Sequence, residues 1–399
     1  MLDYHTAGES HGPALVALVT GVPAGLAFDA GFIDAELRRR QGGYGRGGRQ
    51  KIEEDRVVVL SGVRRGRTTG APITLQIHNR DSRLDDPART PPLHRPRPGH
   101  ADLAGSIKWL TTDCRDTLER ASARETAARV AAGAVARLIL RVVGIETFGF
   151  VRSILDAATD IEVTADNWRG LVATRDASDT YCPDPAATER QRQAIRQAKI
   201  DKDSVGGLVE AHVFGCPPGI GSCVDWRLRL DARLAYAVMG VQAIKCVEIG
   251  LGKDCASRPG SKVHDPIAFD PSRRQTHTLG FVRPTNHAGG TEGGMSNGQP
   301  IVVRAAMKPI STLLRGMPSV DLNTKTPELS AYERSDVCAV PAASVVVENV
   351  VAFEVARCLL EKIGGDSILE MRTNFENYLR YASMLPLDPP LTTIARPDS

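Results

Sequence analysis

The sequence predicts an α+β protein in which one unit occurs twice, and three observations carry that expectation. Thr126 to Ala136 is an alanine-rich helical stretch with few polar residues on any face. That pattern suits a helix buried between layers rather than one on a surface. A second long apolar helical stretch, Val345 to Ile363, lies in the other half of the chain. Finally, Val19-Thr-Gly-Val-Pro-Ala-Gly-Leu26 resembles Val213-Phe-Gly-Cys-Pro-Pro-Gly-Ile220, each closing an apolar strand and preceding a helix. The shared order of strand, helix, strands and buried helix points to a duplicated unit. No linker divides the chain, so one domain over residues 1–385 is expected, with halves of about 1–200 and 205–365 sharing a core. Residues 386–399, rich in Pro, Asp and Thr, are expected to form a flexible tail.

In chain order, Ala14 to Thr20 reads as a strand, and Asp29 as the N-cap of a helix that delivers Arg38, Arg39 and Arg40 at its C-terminal end. Cations there complement the helix dipole, so one of the three arginines has a purely structural role open to it. Val57 to Leu60 and Ile73 to Ile77 read as strands joined by a Gly/Arg turn region. Asp81 to Gly99 has no periodicity and reads as a long loop, which in a compact protein is usually functional. Asp113 to Val143 carries the strongest helix signal, and Ile145 to Leu155 follows as a strand. Ala186 to Lys202 is a polar surface helix or connection. The second half adds a helix over Arg229 to Val238, strands over Ala243 to Gly250 and Ile301 to Ala306, and an amphipathic helix over Ile368 to Tyr381. Between them, Arg283 to Gly298 is too rich in glycine for a helix and reads as a loop that wraps something or moves.

The hydrophobic share of 42% and charged share of 24% are those of a globular protein. A net charge of +3 is too balanced for a general nucleic-acid binder, so positive charge must act locally. No apolar run reaches the ~18 residues a membrane span needs. The first residues lack a basic-then-apolar targeting pattern, and eight scattered cysteines form no CxxC pair. Reduced, mostly buried thiols in a cytoplasmic protein are expected.

Local charge is concentrated in Arg38-Arg-Arg-Gln-Gly-Gly-Tyr-Gly-Arg-Gly-Gly-Arg49, five arginines and five glycines in twelve residues. Guanidinium forks match phosphate and carboxylate oxygens in pairs, and glycine lets backbone approach a ligand. An RGG-like nucleic-acid segment has the same composition. The helix running directly into the stretch, and the isolated arginines recurring elsewhere, favour one wall of a small-polyanion site. Four other segments carry chemistry: Ser10-His11, Arg95 to His100, Arg120 to Arg124 and Arg334-Ser-Asp336. His11 and His100 each adjoin a glycine, on backbone shaped for access, and histidine is a side chain suited to general acid work. HExxH and Walker A patterns are absent, Gly8-Glu-Ser-His-Gly12 lacks the strand–turn–helix context of a GxSxG elbow, and no GxGxxG phosphate loop follows a strand. Metal catalysis is therefore not supported, and anions must be held by side chains and helix N-termini.

Gly8-Glu-Ser-His-Gly12, Arg39 to Gly48, Arg97-Pro-Gly-His-Ala-Asp102 and Glu119-Arg-Ala-Ser-Ala-Arg-Glu-Thr126 together resemble the chorismate synthase family. So do Thr285 to Gly290, Gly293 to Gly298, Met307-Lys-Pro-Ile-Ser-Thr312 and Arg334 to Pro341. The resemblance is collinear from about Gly8 to Gly364. It implies a β-α-β sandwich of two pseudo-symmetric halves, with long buried helices between antiparallel sheets, assembled as a homotetramer. The implied reaction is a trans-1,4 elimination of phosphate from 5-enolpyruvylshikimate 3-phosphate to give chorismate, requiring reduced FMN without net redox change. A substrate with one phosphate and two carboxylates accounts for many arginines in a chain of little net charge.

By the same resemblance, Ser10, Arg40, Arg46, Arg49, Arg97, Ser122, Arg124 and Arg334 are substrate contacts. Arg40 and Arg46 are also associated with NADPH. His11 is the acid for the departing phosphate, His100 stabilises the reduced anionic flavin, and Asp336 assists proton transfer at the flavin. FMN contacts fall on Arg120, Ala121, Ser122, Gln242, Ala243, Gly293, Lys308, Pro309, Ile310, Ser311, Thr312 and Arg334. With no added dinucleotide motif, NADPH is expected only as an indirect reductant, and reduced FMN from an external flavin reductase. Departures from the family pattern lie at Asp3 to Ala7, at Cys246 and at Thr291, none of which carries an implied chemical role. The rival readings are a flavin reductase-like enzyme on the same basic cleft and an RNA-binding protein. The latter is opposed by an aromatic share of only 5%, with no stacking platform.

Overall fold

A computed structural model describes residues 1–48, 52–331, 333 and 335–386. Arg49, Arg334 and tail residues 387–399 therefore lie outside the described residues.

The first half begins with β1 (Asp3–Ala7), β2 (Ala14–Thr20), α1 (Ala30–Gln41), β3 (Val57–Ser61) and β4 (Ile73–His78). Its strands form an antiparallel sheet in the order β1-β2-β4-β3. Every second residue of β2 (Leu15, Ala17, Val19) is buried, so one face of the sheet is core. Then come α2 (Asp102–Trp109), α3 (Arg115–Ala121), α4 (Thr126–Val142), β5 (Glu146–Ile154), α5 (Trp168–Ala177) and α6 (Pro185–Ile200). The chain continues through β6 (Gly207–Phe214), α7 (Leu230–Met239), β7 (Ile244–Ile249), β8 (Ile301–Met307), α8 (Val340–Ile363) and α9 (Ile368–Ser383). A second antiparallel sheet runs β7-β8-β6-β5, with the short strand Ala157–Ala158 at its edge.

Helix α4 packs on β2 and β4, α8 packs on β5 and β6, and the two helices pack on each other. Their backbones approach so closely at Gly133 that a Cβ there would sit 2.4 Å from the Asn349 carbonyl oxygen. The mixed α+β class follows from this layering. The two resembling turns also share geometry: Gly21 and Gly215 have φ of 73° and 81°, and Gly25 and Gly219 have 87° and 88°. Both pairs occupy the left-handed region that glycine tolerates best.

The helix expected over 113–143 is interrupted. After α3, Ser122 turns extended (φ −62°, ψ 139°) and its hydroxyl accepts from Arg124 N at 3.3 Å. A short 3-10 turn, Ala123–Glu125, then leads into α4. Serine favours such local caps over helix interior. The break turns Arg124 toward Asp55 and Asn79 and Glu125 toward Thr6 and Gln242. Residues 102–109, to which the sequence assigns no element, form α2.

The three arginines ending α1 separate. Arg38 is exposed. Arg39 turns inward, 2.8 Å from Glu36 and 3.0 Å from Glu348. Arg137 reaches the same two carboxylates at 2.7 and 3.1 Å, tying α1, α4 and α8 together. Burial favours neutral Glu348, but Arg137 and Arg39 hold its pKa well below the carboxylate range. Arg40 alone enters the cavity described next.

Five cysteines are buried and Cys223, Cys246 and Cys255 are exposed. Among the described residues no helix is long and apolar enough to cross a membrane.

Candidate active site

A cavity of about 360 Å³ opens where α1, the α3–α4 break, the 97–101 loop, the end of β8 and the segment before α8 converge. Its cationic wall is built on buried acids. Arg40 Nη1 lies 3.3 Å from Asp55, and its Nε donates to Thr126 Oγ1 at 2.9 Å. Arg124 Nη1 lies 2.7 Å from the same Asp55 carboxylate, while its Nε donates to Asn79 Oδ1 at 2.9 Å. Burial draws the Arg40 pKa down to about 9, opposed by Asp55 and assisted by the neighbouring Arg124. One fully buried carboxylate thus holds two guanidiniums side by side, a geometry suited to a bidentate anion. Across the cavity Arg46 Nη1 donates to Asp336 at 2.5 Å, and Gly47 N donates to the other Asp336 oxygen at 2.6 Å.

Both candidate histidines open on this space, each against a carboxylate. His11 Nδ1 lies 2.9 and 3.1 Å from the two oxygens of Glu119, whose side chain is fully buried. The His11 backbone N–H donates to Glu119 as well, at 2.7 Å, and Ser10 N donates to the Glu119 carbonyl at 3.0 Å. His11 Nε2 faces Arg83 Nη2 at 3.3 Å and Asp81 at 3.7 Å. Burial would raise the Glu119 pKa, but its bonds to His11 hold it below the usual value.

His100 Nδ1 bonds Asp102, and Arg97 shares the same partner: Arg97 Nε donates to Asp102 at 2.8 Å. Arg97 also donates to Thr312 Oγ1 at 3.0 Å and places Nη2 3.0 Å from His100 Nδ1. Against the opposing effect of burial, His100 and Arg97 hold the Asp102 pKa well below the carboxylate range.

The cavity lining also has an apolar part, contributed by Val241, Ala243, Met307, Ile310 and Val346. Ala243 takes φ +68°, a conformation costly for a non-glycine residue, and its carbonyl accepts from Lys308 N at 2.9 Å. Lys308 itself has a lowered pKa, from burial and then from Lys245. Gln242 donates to Glu125 at 3.0 Å and leaves its buried Oε1 without a partner among the described residues. Apolar lining, an orphaned acceptor at Gln242 and donors at Lys308, Ser311 and Thr312 fit a flavin ring with a polar tail.

Ser10, Arg40, Arg46, Arg97, Ser122, Arg124, His11, His100 and Asp336 therefore come together, as do Ala121, Gln242, Ala243, Lys308, Ile310, Ser311 and Thr312. Three expected contacts lie apart. Arg120 donates instead to the Gly8 and Thr6 carbonyls at 3.2 and 3.0 Å, Gly293 sits in a hairpin turn, and Pro309 is off the cavity lining. Sequence reasoning missed the acids Asp55, Asp81, Asp102 and Glu119, and also Arg83. Asp102 and Glu119 stand inside the motifs already singled out, but nothing in a linear pattern says which base an acid will meet.

The family model for chorismate synthase matches residues 2–360. A chorismate synthase of Desulforudis audaxviator is 54% identical over 95% of this chain and 97% of its own length. Another from Geobacter metallireducens is 52% identical over 96% of this chain and 99% of its own. A solved structure described as a chorismate synthase superposes with a TM-score of 0.78 at 40% identity, covering 96% of this chain and 98% of that one. With its motifs gathered at one cavity and its whole length matched, the chain belongs to the chorismate synthase family.

Proposed function

We propose that this chain carries out its family's reaction, the 1,4-elimination of phosphate from 5-enolpyruvylshikimate 3-phosphate, with the cavity's own side chains in the following roles. The observation carrying the reading is the pairing of Arg40 and Arg124 on one buried aspartate, beside two histidine–carboxylate pairs. Phosphate and carboxylate groups take positions at Arg40, Arg124, Arg46 and Arg97, with Ser10 and Ser122 as neutral donors. The elimination breaks one ring C–H bond and one C–O bond to phosphate, forming a second ring double bond. His11 gives the proton at Nε2 to the departing phosphate. The apolar lining, Gln242, Lys308 and Thr312 would hold reduced FMN, with His100 on the same cavity. Asp336, oriented by Arg46 and Gly47, receives or returns a proton at its carboxylate oxygen. When bound, reduced FMN supplies transient electron donation and uptake of the ring hydrogen.

NADPH enters this reading only through an external flavin reductase, and the setting is the cytoplasm. The two sheets with α4 and α8 between them are read as a β-α-β sandwich of pseudo-symmetric halves. A homotetramer would give Arg120 and Gly293 neighbours that one chain does not supply.

Anaerobic turnover of 5-enolpyruvylshikimate 3-phosphate with photoreduced FMN tests the reading, by chorismate absorbance and phosphate release. Chorismate is expected with flavin unconsumed. Steady NADPH oxidation with oxidised FMN and no shikimate substrate would favour the flavin reductase instead. A protein that binds both ligands and forms no chorismate would overturn the proposal.

A further inference from the structure

We infer that Glu119 is a positioning residue that fixes the tautomer of His11, keeping the ring proton on Nδ1 so that Nε2 is the atom that gives up its proton. This rests on the role proposed above for His11 as the acid. Three bonds carry the inference, all made by one residue of α3 to two consecutive residues of the β1–β2 loop. The Glu119 carbonyl accepts from Ser10 N at 3.0 Å. Its carboxylate accepts from His11 N at 2.7 Å and meets His11 Nδ1 at 2.9 Å. A carboxylate has only acceptors to offer, so a ring nitrogen at that distance must carry hydrogen. The acid is kept ionised by the His11 bonds and by Arg115, 3.8 Å away, although its side chain is fully buried.

The other side of the ring agrees. In the neutral Nδ1–H tautomer Nε2 is an acceptor, and Arg83 Nη2 stands 3.3 Å from it. In the imidazolium, Nε2–H faces Asp81 at 3.7 Å on the cavity side. One cycle is then balanced. The Nε2–H bond breaks as an O–H bond forms on the leaving phosphate, and the neutral ring left behind is the tautomer that Glu119 and Arg83 both accommodate. Without the carboxylate, the Nδ1–H left on that ring after transfer would lack the acceptor that holds it.

Replacement of Glu119 by Gln keeps volume and one acceptor but puts an NH₂ group where a second acceptor stood. The full-length enzyme, its E119Q, E119D and H11A variants, and ¹⁵N-histidine labelling test the inference. At about pH 8.5, where free imidazole is neutral, the His11 ring of the wild type should be protonated at Nδ1, the signal being assigned by its loss in H11A. E119Q should move the proton toward Nε2 and lower kcat about 10²-fold, with KM for 5-enolpyruvylshikimate 3-phosphate within about threefold. E119D, which keeps a carboxylate, should recover about tenfold of that loss. An Nε2–H ring in the wild type would overturn the inference whatever the variants do. So would an E119Q enzyme of near-normal kcat when H11A is strongly impaired. Near-normal turnover in H11A would instead remove His11 as the acid, and the catalytic meaning of Glu119 with it.

Discussion

His11 and His100 look alike in the sequence, each beside a glycine, and each leans on one buried carboxylate in the fold. They differ in what else reaches the same ring nitrogen. His11 Nδ1 meets both oxygens of Glu119, which also grips the His11 backbone, so ring and main chain are held together. His100 Nδ1 meets an acceptor, Asp102, and a donor, Arg97 Nη2 at 3.0 Å, so neither tautomer is imposed on it. The first arrangement suits a group that must deliver one proton in one direction. The second suits a group whose charge responds to what binds beside it. A carboxylate next to a histidine is therefore not one device but two, and the third partner decides which.

The comparison breaks most sharply at His11 itself. H11A should lower kcat by about 10²- to 10⁴-fold, the span of lost acid–base catalysis. H100A is expected toward the lower end, about 10²-fold, with a larger part of its effect in flavin binding. Stopped-flow chorismate formation together with FMN titration separates the two, and equal effects on both readouts would erase the distinction. Next in size, R97A should raise KM for the phosphorylated substrate by about tenfold and leave His100 as the only side chain bonded to Asp102, beside the backbone N–H of residue 97. The His100 ring should then settle on Nδ1–H, visible by ¹⁵N NMR, and become more like His11.

Acid stability follows from the same pairs. Asp102 and Glu119 have pKa values below their ordinary ones when folded, so the unfolded chain binds more protons as the medium becomes acid. Their contribution is complete above the unfolded carboxylate range, near pH 4. It is lost as pH falls through the lower folded values. Melting temperatures of D102N and wild type should converge as pH is taken from about 6 to about 3. A gap that widens toward acid pH would have the sign wrong. The smallest effect is expected in R120A. Because Arg120 is engaged with the Thr6 and Gly8 carbonyls, kcat should stay within about threefold. A large loss of FMN affinity in that variant would mean that the assembled enzyme uses Arg120 differently from a single chain.

Much of the architecture was legible because hydrophobic period is a local property. The apolar run Ala14 to Thr20, the alanine-rich body of α4 and the apolar length of α8 each declare their burial without reference to the rest of the chain. Paired glycines in the two Val-x-Gly-x-Pro-x-Gly turns were legible for the same reason, since positive φ restricts residue choice on the spot. Charge is not local in this way. Arg38, Arg39 and Arg40 are indistinguishable in the sequence, yet one meets solvent, one a buried acid cluster and one the cavity. Their separation depends on the 100° step between helix residues and on which layer lies beyond each.

The interruption at Ser122 went unseen because a strong helical pattern continues across it, and only the side chains waiting for Arg124 and Glu125 make the break favourable. By itself the sequence determined the class of fold, the collinear motifs and most of the bases that line the cavity, all of which are written in residue type and spacing. Only the tertiary structure decided which acid stands behind each base. A carboxylate acts over a few ångströms, and Glu119 lies 108 residues from His11 along the chain but one hydrogen bond away in space.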